Sequence, residues 1–142
     1  MPERQVVAKL LADADVVALV VARVRPVMLH KDDTYPAIVY DIVDDAPRNS
    51  SAGQTPSRTM HLELGCLGTT WAQARAVSVA AEDAIAGATA ISAFRAVGTY
   101  PKVSMVHTQS IQRIHGPLAE GGEGLLYYGF LQTYLIEYRT GA

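Results

Sequence analysis

His61, Glu63 and Cys66 fall within six positions of one another in the stretch TMHLELGCLGTTWAQAR, residues 59–75. A thiol beside an imidazole and a carboxylate is the raw material of nucleophilic catalysis, which needs a base within hydrogen-bond reach of the sulfur. Local periodicity argues against that use. In an extended strand Met60, Leu62, Leu64 and Cys66 share one face, while His61, Glu63 and Gly65 share the other. Cys66 therefore points with the apolar residues, away from its would-be base, and reads as buried filler.

Other chemistries fare no better. The four histidines, His30, His61, His107 and His115, contain no pair at the three- or four-residue spacing of a helical metal site. His61 and Glu63 could supply two ligands from one strand face, joined by His107 across a sheet, but ordinary polar strand groups explain them as well. Asp41, Asp44 and Asp45 lack the loop spacing and terminal glutamate of a calcium site. GGEG, residues 121–124, has no following Lys-Ser/Thr and lies between strands, whereas a phosphate loop must deliver its amides at a helix start. Arginines 48, 58, 75, 95, 113 and 139 are scattered and the net charge is -2, so no basic face for nucleic acid emerges. The sequence assigns no catalytic, cofactor-binding or metal-binding residue, and no cofactor.

The chain of 142 residues is 49% apolar and 18% charged, the profile of one folded domain spanning 1–142 with a real core. One cysteine excludes an intrachain disulfide framework. The N-terminus lacks a secretion-type apolar core with a cleavage signal, which makes cytoplasmic synthesis the default. The densest apolar run, Val16 to Val24, is interrupted by Arg23 and is too short to span a bilayer.

Val6, Val7, Leu10, Leu11 and Ala14 recur at helical spacing, giving one helix with a possible break that ends near Arg23. Asp13 or Asp15 could cap a second helical piece. Residues 26–36 read as an irregular connection, AIVYDIV (37–43) as a strand, and 44–58 as an exposed loop rich in small polar residues. A second strand follows from Thr59 to about Leu67. Thr70 and Gln73 suggest a capping box opening a helix to about Ala86, with Gly87 as its stop and Trp71, Ala74, Val77, Ala81, Ile85 and Ala88 as its buried stripe. Residues 89–102 fit either a helical turn or a short extended piece.

Val103 to His115 reads as a strand with no clean apolar face, which fits a strand that is twisted, at an edge or covered by a neighbouring subunit. Residues 116–124 form a glycine-rich turn. LLYYGFLQTYLIEYR, residues 125–139, would reach roughly 50 Å as a strand, so a bend or bulge near Gly129 is expected. Both its faces are partly apolar, with Tyr128, Phe130, Tyr134 and Tyr138 on one and Leu125, Tyr127, Leu131 and Leu135 on the other. The expected fold is α+β, with two helices packed on a mainly antiparallel four-stranded sheet in the order helix-strand-strand-helix-strand-strand. Helices cover one sheet face, and the other is left for a subunit contact, unless a bend in the last strand exchanges its inner and outer faces.

Several segments resemble the tail-completion, or tail-terminator, proteins of long-tailed bacteriophages and gene-transfer particles, and also head-tail joining proteins. LLADADVVALVVARVRP (10–26) looks like the opening helix with its terminal turn. YPAIVYDI (35–42) looks like the first strand, MHLELGCLGTTWAQARAVSVAAEDAIAG (60–87) the second strand and alanine-rich helix, and LLYYGFLQTYLIEYR the closing strand. Around Cys66-Leu67-Gly68 the chain departs from the family, whose aromatic at that point is displaced here to Trp71.

The resemblance implies a non-enzymatic virion protein forming a hexameric ring at the head-proximal end of the tail. Such a ring stops polymerisation of the tail tube and joins the tube protein to the head connector or stopper, while DNA passes through the bore without sequence readout. Segments 44–58 and 116–124 are then candidates for contacts within or between rings. The competing expectation is a small α/β ligand-binding or regulatory domain with a discrete pocket. An enzyme would have only His61, Glu63 or His107 to work with.

Overall fold

The computed structural model describes residues 2–27, 34–87, 101–117 and 126–140. Among these residues three helices, α1 (Pro2–Ala12), α2 (Ala14–Val20) and α3 (Trp71–Ala86), accompany five strands. These are β1 (Val24–Pro26), β2 (Ala37–Ser50), β3 (Gly53–Gly68), β4 (Lys102–Pro117) and β5 (Leu126–Arg139). They form one open mixed sheet in the order β1-β2-β3-β5-β4, with β1 parallel to β2 and every other pair antiparallel. The expected two helices on four strands is thus incorrect.

Both extra elements have local causes. Asp13 adopts an extended backbone, and its Oδ1 accepts from the amides of Asp15 (3.0 Å) and Val16 (3.2 Å). That N-cap divides the opening helix into α1 and α2, which lets Val6 and Leu10 from one piece and Val16 and Val20 from the other reach the same core. β1 is only Val24-Arg25-Pro26, too short to show any period. Pro26 is tolerated because β1 is an edge strand.

The expected loop at 44–58 is instead the outer part of the β2–β3 hairpin, which turns between Ser50 and Gly53. Its composition misleads because β1 covers β2 only from Ile38 to Tyr40, so this arm is a solvent-facing edge where Pro47 breaks no ladder. Side chains tie the arm down. Arg58 Nε donates to Asp45 Oδ1 (3.2 Å) and Tyr138 Oη to Asp45 Oδ2 (2.6 Å), while Arg48 pairs with Glu137.

β5 has no bulge at Gly129. Its register with β3 runs unbroken from Ser57↔Arg139 to Gly68↔Tyr128. Gly129 serves close packing: a Cβ there would stand 2.7 Å from Leu67 Cδ2 and 3.1 Å from the Cys66 carbonyl oxygen. The irregularities lie elsewhere in the sheet. β4 carries extra residues at Ser104 and Gln109, and β2 carries one at Val43. Each shift reverses the alternation that follows, so Val103, Val106, Thr108, Ile111 and Arg113 all stand opposite helix-side residues of β5. Two reversals in one strand explain why β4 shows no clean apolar face in sequence. Of the placements open to it in sequence, it takes the edge.

α3 lies across β3 and β5, with α1 and α2 beside it. Met60, Leu62, Leu64, Cys66, Tyr134 and Ile136 meet Val77, Ala81 and Ile85 in a core that is essentially sealed. Each of the larger aliphatic side chains contributes about 1.5–3 kcal/mol on burial. α3 starts as expected, with Thr70 Oγ1 accepting from the Gln73 amide (3.1 Å) and Gln73 Oε1 accepting from the Thr69 amide (2.8 Å). Thr70→Ala should therefore cost about 1 kcal/mol in urea denaturation, while Thr70→Ser should retain most of that. Ala88 and most of 89–102 and 116–124 lie outside the described residues.

Candidate interaction surface

The structure separates the residues that the sequence places close together. Cys66 is sealed in the helix-side core, and desolvation pushes its thiol up to about 12. A thiol held neutral is a poor nucleophile. His61 and Glu63 are on the opposite, open face of the sheet. His61 Nδ1 lies 3.4 Å from Asp44 Oδ2, an ion-pair distance without a hydrogen bond. His107 shares the cross-strand row of His61, but Leu135 of β5 stands between them. Among the described residues no group of three or more His, Cys, Asp or Glu side chains is placed to hold a metal ion. His30 lies outside the described residues.

The open face mixes apolar and charged groups. Tyr127, Leu131 and Leu135 of β5 are half-buried there. In the adjoining β2–β3 rows, Asp41 pairs in register with Glu63, and Asp44 with His61. Two carboxylates directly opposite each other repel, and no cation is ion-paired to either among the described residues. Asp41 also marks the point where β1 ends and the β2 edge becomes open. Two residues on, the bulge residue Val43 is 56% exposed.

On the helix side a different surface forms. Trp71, expected in the buried stripe of α3, is half-exposed and packs against Tyr128 and Phe130 with ring centroids 4.9 and 5.8 Å away. The Arg113 guanidinium sits 4.2 Å from the centre of the Trp71 ring, a cation–π contact. Arg75, one helical turn along, lines the same shallow pocket of about 250 Å³. Ala72 and Arg75 also border an open groove of about 700 Å³ between α2 and α3, whose walls include Leu19, Ala76 and the exposed Val79. Trp71 and Arg75 at i and i+4 were a visible signal in sequence. Arg113 joins them only through the β4–β5 register.

The sequence matches no protein-family profile and no curated protein. Its fold is similar to that of a chain in the virion of a native gene transfer agent (GTA) particle, with a TM-score of 0.69 and 16% sequence identity. The superposition covers 94% of this chain and 91% of that one. At this identity the two share a fold. No helix among the described residues is long and apolar enough to cross a membrane.

Proposed function

We propose that this protein is a non-catalytic structural subunit of a phage or gene-transfer-agent virion, a ring former at the head-proximal end of the tail. As a single domain over residues 1–142, about six copies close around the bore. One ring face meets the last layer of the tail tube and stops its polymerisation. The other meets the head connector or stopper, and DNA passes through without sequence readout.

The observation that carries this reading is a fold shared with a GTA virion chain over nearly the whole length of both. The surface is consistent with it. The sheet has two different edges, β1–β2 on one side and β4 on the other, and a half-apolar open face opposite its helices. Unlike surfaces on one subunit favour heterologous contacts, which make a ring when the rotation between copies closes. A ligand-binding domain would instead rest on an enclosed pocket, whereas the α2–α3 groove among the described residues is open.

Light scattering of the purified protein at several concentrations, with negative-stain imaging, tests the reading. A ring of about six subunits, or ring formation by monomers offered purified tail tubes, is the expected result. A monomer that forms no ring under either condition would overturn it.

A further inference from the structure

Two charged surfaces are left without partners of opposite sign, and they are complementary. One is the pocket at the start of α3, where Arg75 and Arg113 flank Trp71 and Phe130. Neither arginine is ion-paired to a carboxylate among the described residues. The other is the Asp41–Glu63 pair on the open face, beside the protruding Val43.

We infer that these are the two halves of one contact between copies of this chain, in which Arg75 and Arg113 of one subunit seat against Asp41 and Glu63 of the next. The inference deepens the ring reading and rests on it. Three physical points support a second copy as the occupant. The like-charge pair at Asp41 and Glu63 is a standing repulsion within one subunit, and an incoming cation pair turns it into an attraction. Arginine and aromatic side chains around a pocket that a partner can seal from water are what the energetic centres of protein interfaces are made of. The two surfaces also differ in kind and in place. Arg113 belongs to edge strand β4 on the helix side, whereas Asp41 belongs to β2, near the far edge, on the open side. A two-fold dimer would have to form this contact twice within one interface, which patches on opposite faces and near opposite edges do not allow, whereas head-to-tail repetition that closes makes a ring.

The test is a charge swap read by sedimentation velocity at low ionic strength, with circular dichroism confirming the fold. One variant carries Arg75→Glu and Arg113→Glu, and the other carries Asp41→Lys and Glu63→Lys. Each alone should sediment as a monomer where the wild type forms rings. Their equimolar mixture should reassemble, because an alternating ring pairs the new glutamates with the new lysines and the native arginines with the native acids. Arg75→Gln with Arg113→Gln, which removes charge while keeping bulk, should weaken association at least about tenfold. If either charge-swap variant assembles like the wild type, or the folded mixture stays monomeric, this contact is wrong and the ring reading stands. If the wild type itself forms no ring, alone or on tail tubes, both fall.

Discussion

Gln132→Ala is expected to lower stability by about 3–5 kcal/mol, among the largest effects of any single substitution in this chain. Gln132 is completely buried in the middle of β5, yet it is polar. Its Nε2 donates to the Ser78 carbonyl (2.8 Å) and approaches Ser78 Oγ at 2.7 Å, while its Oε1 accepts from Tyr134 Oη at 2.6 Å. These bonds fasten α3 to the sheet. Alanine leaves a cavity and strands the Tyr134 hydroxyl in a dry core. Gln132→Leu restores the volume but still strands the hydroxyl, at about 1–3 kcal/mol. Adding Tyr134→Phe to Gln132→Leu should recover most of that cost, since removing both partners is far cheaper than removing one. Urea denaturation of the two singles and the double would show this as a coupling energy of about 1–3 kcal/mol. Strict additivity would mean the hydroxyl does not depend on Gln132.

The second large effect is alkaline. Burial pushes the Cys66 thiol from its ordinary 9.0 up to about 12. Tyr138 is likewise pushed from 10.0 up to about 12, by desolvation and by its hydrogen bond to Asp45. Tyr134 is raised by desolvation first and by nearby Cys66, Glu82 and Asp83 next. All three acids are raised in the folded state, so above pH 9 the unfolded chain releases protons that the folded chain retains. Stability is therefore full below about pH 9 and falls as pH rises toward 12, by a few kcal/mol in all. Between about pH 9 and 10 the slope belongs mainly to Cys66. Urea midpoints measured across that window should fall in the wild type and fall less in Cys66→Ala, although that variant begins less stable. Iodoacetamide should label Cys66 only as fast as the chain unfolds, as read by mass spectrometry. Rapid labelling of the native protein would contradict the burial.

Much of this was legible in the sequence wherever an element has one buried and one open face. The two-residue alternation of Met60, Leu62, Leu64 and Cys66 matches their burial, and it removes the thiol from His61 and Glu63 without any structure. The α3 cap at Thr70 follows from residue types alone. Asp13 is one of two candidate caps in the sequence, and in the structure it is the helix boundary. The outer hairpin arm failed the same reasoning. Its residues pair through backbone amides on an open edge, where side-chain type carries little information.

The sequence by itself determined the strand-borne core, the isolation of its one cysteine, and the caps of its helices. Those depend on contacts within a few residues and on a period of two or of 3.6. Only the tertiary structure decided the three-residue β1, the sheet order, and the bulges at Val43, Ser104 and Gln109. It also brought Arg113 over Trp71 and set Asp41 against Glu63. Each of these is a register between strands distant in sequence. A register is chosen by how whole elements pack, because a shift of a single residue turns every later side chain to the opposite face.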